Sequence, residues 1–224
     1  EYLRQFEIVD SEHVINKVLR DGKTVLCEGA QGTMLDVDFG SYPFVTSSNT
    51  ICAGACSGLG IGPNKVGEVY GIMKAYCTRV GAGPFPTELF DETGSRLRDL
   101  GHEYGAVTGR ERRCGWIDLV ALRYAIMING VTQLIMMKSD VLDGFDTIKA
   151  CVAYRKDGVE TRDFPFDIEH GIEPVYTELP GWKKDMTKIT REAQFPKAFK
   201  DYIEFLEAEL ETPIKIVSAG PDSE

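Results

Sequence analysis

The residues best suited to do chemistry lie in one short basic segment, Gly105-Ala106-Val107-Thr108-Gly109-Arg110-Glu111-Arg112-Arg113-Cys114-Gly115-Trp116. Arg110, Arg112 and Arg113 fall within one turn of chain, between Gly109 and Gly115. Guanidiniums this close repel one another unless something anionic sits among them. Each carries a rigid fork of donors that matches the oxygens of a carboxylate or phosphate in pairs. The glycines let the backbone approach a ligand closely, and Val107, Thr108 and Gly109 add N–H groups and a hydroxyl. The segment reads as a loop that closes on a ligand with several negative charges. Taken alone, a solvated basic loop is the better reading. Nothing nearby in the sequence pairs the charges of residues 107–113, so the loop is expected to be mobile without its ligand.

A second segment is Lys138-Ser139-Asp140, which ends the apolar run 131–137. An Asp just past a buried strand can accept the ring N–H and the exocyclic amino group of guanine on one carboxylate. Adenine cannot offer that pair. Lys138 can lay its stem along the purine face. For a bare Lys-x-Asp, an Asp that caps a turn is the stronger reading. A third is Glu28-Gly29-Ala30-Gln31-Gly32-Thr33, where residues 24–27 read as a short buried strand running into a glycine-rich turn. Thr46, Ser47, Ser48 and Asn49 cluster small donors and acceptors, which either cap a helix over 51–57 or face a ligand. Asp36 and Asp38 read as turn formers rather than as metal ligands.

The elements that position these groups follow from periodicity. Residues 11–20 predict a helix capped by Ser11 and stopped by Gly22. Residues 66–78 predict a long strand, 79–88 a rigid connector with two prolines, and 91–104 a polar-faced helix. A helix over 118–128, stopped at Asn129-Gly130, leads to the buried strand 131–137. Residues 148–155 and 159–162 predict a hairpin around Lys156-Asp157-Gly158, with a further strand near Val175. In 196–210, Phe199, Ile203, Leu206 and Leu210 recur at helical spacing as core contacts, and 214–217 is a last strand ending in Ser218-Ala219-Gly220. Alternating helices and strands argue for an α/β fold, with a mixed, mainly parallel sheet flanked by helices and a small antiparallel hairpin region.

The 224 residues suffice for one substantial core or two small ones, and 43% hydrophobic with 27% charged content is that of a globular chain. The net charge of -10 disfavours nucleic acid and anionic membranes as partners, so basic residues gathered in one loop point to a local anion. No apolar run is long enough to span a bilayer. Six scattered cysteines without a Cys-x-x-Cys pair predict a reduced, cytoplasmic protein with buried thiols. Three histidines without ligand spacing to a cysteine disfavour zinc.

Six motifs in order carry a family resemblance: Glu28-Gly-Ala-Gln31-Gly-Thr33, Tyr42-Pro-Phe-Val-Thr46-Ser-Ser-Asn49-Thr, Lys74-Ala-Tyr-Cys-Thr-Arg79-Val-Gly-Ala-Gly-Pro-Phe-Pro-Thr-Glu88, Thr108-Gly-Arg110-Glu-Arg112-Arg113, Lys138-Ser-Asp140-Val-Leu-Asp-Gly144 and Ser218-Ala-Gly220-Pro-Asp222. The chain resembles adenylosuccinate synthetase over nearly its whole length. The resemblance implies a P-loop-NTPase-like α/β fold, with residues 1–224 as the C-terminal part of a single domain. It implies ligation of IMP and L-aspartate at the expense of GTP, with Mg²⁺, in a cytoplasmic homodimer. The 6-oxygen of IMP is phosphorylated first, and the aspartate amine then displaces the phosphate.

Residue by residue, the resemblance assigns Gln31, Thr46 and Arg110 to IMP. It assigns Ala106, Val107, Thr108, Gly109, Arg110, Glu111 and Arg112 to aspartate, and Arg112, Lys138, Ser139, Asp140, Ser218, Ala219 and Gly220 to GTP. Val107 and Glu111 depart from the family's commoner threonine and basic residue. The family's Gly-Asp-Glu-Gly-Lys-Gly-Lys phosphate loop, whose Asp is the catalytic base and magnesium ligand, has no counterpart here. Its catalytic His has none either, since His13, His102 and His170 lie outside any matching context. No catalytic residue or metal ligand is therefore assigned, and the 224 residues alone are expected to be inactive. A guanine-nucleotide-binding module without catalysis, or a self-associating fragment, is the alternative.

Overall fold

The computed structural model describes residues 2–105 and 109–220, which form two compact units, Glu1–Val69 and Tyr70–Glu224. In the first unit the helices are α1 (Ser11–Arg20) and α2 (Ala53–Leu59). Asp10 rather than Ser11 is the residue at the cap of α1, and it makes no side-chain capping bond. The expected strand over 24–27 does not form: this stretch has no regular structure, and Leu26 is 89% exposed. A strand needs a hydrogen-bonding neighbour, and the described residues of this unit contain no other strand.

What organises this unit is Asp36, which has no exposed surface. Its carboxylate accepts from the backbone N–H groups of Asp38 and Phe39 on one oxygen, and of Thr50 and Ile51 on the other. Burial by itself would raise the Asp36 carboxyl, but these four donors outweigh it and hold it below the ordinary range. Gly60 ends α2 in the left-handed conformation and lies against α1. A Cβ there would come within 2.5 Å of the Cβ of Glu12, so only glycine fits.

The second unit is built on a parallel sheet of β1 (Tyr70–Lys74), β5 (Gln133–Met137) and β9 (Ile214–Val217), in the order β1-β5-β9. The remaining strands and α-helices are β2 (Cys77–Arg79), α3 (Glu92–Leu100), β3 (Arg113–Gly115), β4 (Ile117–Asp118), α4 (Leu119–Asn129), β6 (Thr147–Lys156), β7 (Val159–Thr161), β8 (Ile172–Pro180) and α5 (Lys197–Leu210). The fold is a mixed α/β arrangement with parallel and antiparallel strands. β2 pairs antiparallel with β3; β6 pairs parallel with β4 and antiparallel with β7 and β8.

The single long strand expected over 66–78 is two strands in different sheets. Buried Ala75 and Tyr76 interrupt it: the Ala75 N–H still reaches the Met137 carbonyl, while its own carbonyl accepts from the Tyr202 hydroxyl. The antiparallel part is larger than a hairpin, because nine-residue β8 pairs along β6. Pro174 and Pro180 weaken its sequence signal, and both are tolerated on a strand paired at one edge. α5 buries Phe199, Tyr202, Leu206 and Leu210, with Ile203 partly buried beside them. All six cysteines are free: Cys114 and Cys151 are buried, whereas Cys27 is exposed, against the expectation of buried thiols.

Candidate functional site

Because β1, β5 and β9 run parallel, their C-terminal ends lie at one edge. Lys74 aligns with Met137, and Met136 with Val217. Loops leaving the carboxyl edge of such a sheet are where open α/β folds take ligands. Ser139 joins two of these loops: its N–H and its hydroxyl both donate to the Ser218 carbonyl, at 3.3 and 2.9 Å, and the Ser218 N–H donates back to Met136 at 2.8 Å. This brings the segment Lys138, Ser139 and Asp140 beside the segment Ser218, Ala219 and Gly220. Lys138 takes the left-handed conformation directly after β5 and turns the chain across the edge. Burial pushes the half-buried Asp140 carboxyl up, while a hydrogen bond from its own backbone N–H and then the Lys138 ammonium pull it down, with the upward shift prevailing.

A residue with no assignment from sequence sits at the centre of this edge. Glu103 is fully buried just beyond α3. Its Oε1 accepts from Lys74 Nζ at 2.7 Å, Tyr76 Oη at 2.6 Å and Lys138 Nζ at 3.0 Å, and its Oε2 accepts from Arg112 Nη1 at 2.8 Å. Lys138 Nζ also donates to the Gly101 carbonyl at the end of α3, at 2.6 Å. Burial alone would raise the Glu103 carboxyl, but Lys74, Tyr76 and Lys138 outweigh it and hold it down at about 2. Gly101 lets this happen, since a Cβ there would lie 2.2 Å from the Tyr76 hydroxyl oxygen.

Glu103 therefore stabilises the fold most where it is ionised and the unfolded chain's glutamate is too, above an unfolded value of about 4.3. That stability is lost as pH falls from there toward 2. Melting temperature measured from pH 6 to 2.5 should drop more steeply in the native protein than in Glu103→Gln; parallel curves would contradict this.

The arginines divide differently from the expectation. The Arg113 guanidinium forms a two-pronged ion pair with Glu88, donates to the carbonyls of Gly81 and Gly83, and lies 5.6 Å from the Phe85 ring centre. It clamps the connector after β2 onto β3, so its anion belongs to the protein. Arg112 has Glu103, and Arg98 pairs with Glu111 at 3.3 Å. The premise that residues 107–113 lack partners for their charges is thus corrected: long-range contacts supply them. Glu103 and Arg112 are further joined by an N–H of Arg112 to the Glu103 carbonyl at 2.9 Å, with Tyr104 bridging to Glu111. Arg110 is exposed and next to Gly109, which has φ 64°. Ala106, Val107 and Thr108, with Asp222 of the last motif, lie outside the described residues.

In the first unit, Gln31 adopts φ 65° and is exposed. The Thr46 N–H donates to the Leu35 carbonyl, that of Val37 to Ser48, and the Thr50 hydroxyl to Gly32. The segments of Gln31 and Thr46 are thereby stitched side by side. Asn49 donates to Asp38 at 2.7 Å, and no side chain caps α2, so the polar cluster does not serve as its cap. An open cavity of about 490 Å³ in the second unit is lined by Lys184, Asp185, Lys188, Ile189 and Gln194, none of them an assigned residue.

The family model for adenylosuccinate synthetase matches residues 1–224, the entire chain. The chain belongs to the adenylosuccinate synthetase family. It is 79% identical over 222 residues to the adenylosuccinate synthetase of Phocaeicola vulgatus, covering 99% of this chain and 52% of that protein. It is 73% identical over 222 residues to that of Bacteroides thetaiotaomicron, covering 99% and 52%. The fully ligated adenylosuccinate synthetase of Plasmodium falciparum superposes with a TM-score of 0.94 at 43% identity, covering 98% of this chain and 53% of that one. The chain spans about half the length of the curated relatives it matches.

The resemblance implies Mg²⁺, and the described residues do not offer it a donor set. Among the described residues no group of three or more His, Cys, Asp or Glu side chains is placed to hold a metal ion. No step is therefore derived through the metal. Glu103, the residue that sequence reasoning missed, carries one weak local signal, its position two residues past the glycine that ends α3.

Proposed function

We propose that the protein carrying this chain is an adenylosuccinate synthetase that joins IMP to L-aspartate with GTP as phosphoryl donor. In this reading residues 1–224 are the C-terminal part of one domain and supply recognition rather than acid–base chemistry. Asp140 accepts the guanine N1–H and amino group, Lys138 covers the purine face, and Ser218, Ala219 and Gly220 line its other side with Ser139. Arg112 faces both aspartate and GTP, and Arg110 both aspartate and IMP, with Gln31 and Thr46 also on IMP. Ala106, Val107, Thr108, Gly109 and Glu111 complete the aspartate segment. Fixed cations balance the two carboxylates of aspartate and the phosphates of GTP without reorganising during reaction. Bound Mg²⁺ would add neutralisation of phosphate charge.

The observation that carries this reading is the convergence of Lys138–Asp140, Ser218–Gly220 and Arg112 at the carboxyl edge of one parallel sheet, in a chain whose whole length matches the family. The working assembly is a cytoplasmic homodimer without nucleic-acid or membrane partners. No helix among the described residues is long and apolar enough to cross a membrane.

The test is an assay of the whole gene product with IMP, L-aspartate, GTP and Mg²⁺. Adenylosuccinate should form with one GDP per turnover, and omission of any substrate should abolish it. The 224-residue chain alone should show no turnover. A whole protein that binds GTP yet never forms adenylosuccinate would favour the non-catalytic binding module instead.

A further inference from the structure

We propose that Glu103 is a positioning residue that fixes the arginine segment and the guanine loop relative to each other. The inference rests on the functional reading above and deepens it. Lys138 and Arg112 are 26 residues apart in sequence and leave different elements, yet each places a nitrogen on one buried carboxylate. Lys74 and Tyr76, at and just after the end of β1, hold that carboxylate from the sheet side. Oε1 serves Lys138 and Oε2 serves Arg112, so a rotation of the carboxylate displaces both cations together.

The charges point the same way. Three cations, Lys74, Lys138 and Arg112, surround the one negative charge of Glu103, leaving a net positive site whose geometry is set before any anion arrives. Arg112 is poised rather than satisfied: its Nη1 is held by Glu103, while its Nε is buried and finds no acceptor among the described residues. A guanidinium anchored at one end by Glu103, in a side chain still 32% exposed, keeps its outward-facing donors for an oxygen from elsewhere, here a carboxylate of aspartate or a phosphate of GTP. Glu103 itself touches neither substrate and acts through Arg112 and Lys138.

The experiment is steady-state kinetics of the whole protein carrying Glu103→Gln. Misplacing two recognition cations should raise KM for both GTP and L-aspartate about 10- to 100-fold. The KM for IMP should change less than about threefold. A side chain that merely supports the fold would lower the melting temperature and the fraction of active protein while leaving both KM values alone, and that result would overturn the proposal. In an Arg112→Ala background, Glu103→Gln should add little to the aspartate KM and still raise that for GTP through Lys138. Multiplicative effects on aspartate would also overturn it.

Should Glu103→Gln fail to fold, Glu103→Asp keeps the buried charge. One methylene shorter, it cannot reach Lys138 and Arg112 together, and the same paired rise in KM is expected. If the unaltered protein shows no turnover, the synthetase reading fails first. Equilibrium binding of GDP and of L-aspartate then reads the role of Glu103, with the same two weakenings expected and unchanged affinities refuting it.

Discussion

Asp140→Asn should weaken GTP as a substrate of the whole protein by about 100-fold and at the same time create use of xanthosine triphosphate. Guanine presents two donors, N1–H and the 2-amino group, and one carboxylate accepts both. Bonds to a charged group are worth about 1.5–3 kcal/mol each, so losing one and leaving a donor facing a donor accounts for the factor. Asparagine presents one acceptor and one donor, which matches xanthine, whose 2-position carries an oxygen. The burial that raises Asp140 makes the loss of pairing cost more than it would at an open surface. The measurement is KM for the two nucleotides side by side. A GTP value within twofold of the native protein's would remove Asp140 from the guanine pocket.

The second large effect is on stability. Phe199→Ala should cost about 3–5 kcal/mol, the range for emptying a fully buried aromatic site. Phe199 has no exposed surface; its ring centre lies 4.7 Å from that of Trp182 and 4.9 Å from that of Phe195, both edge-on. Neither rigid ring can collapse into the space left. At roughly 2–4 °C per kcal/mol for a chain of this size, the melting temperature should fall by about 6–20 °C. The effect reaches the site by connection, because α5 leads into β9 and β9 ends at Ser218–Gly220. Calorimetry of the variant is the check, and a fall of under 3 °C would mean that α5 does not anchor this core.

How much of this was legible beforehand depended on whether the signal was local. Helix α4, strand β5, helix α5 and strand β9 were read within about two residues, since each carries its own periodicity and its own stop, such as Gly130 or Pro213. The motifs, in order, pointed to the family that the whole-chain match establishes. The misread strand at 24–27 shows the limit of short apolar runs, which announce burial that only a pairing partner can provide. The break at Ala75–Tyr76 was hidden for the same reason, because nothing local says that a run of strand-forming residues must change sheets.

The types of the reactive side chains, three arginines between glycines and a Lys-x-Asp after an apolar run, were set by sequence alone. Which anion each cation meets was decided by tertiary structure. Arg113 finds Glu88, 25 residues earlier, and so becomes a structural clamp. Lys74, Lys138 and Arg112 find Glu103 across separations of 29, 35 and 9 residues. Electrostatic partnership depends on distance in space and on exclusion of water. Neither quantity exists until the parallel strands have aligned their carboxyl ends and drawn Glu103 beneath them.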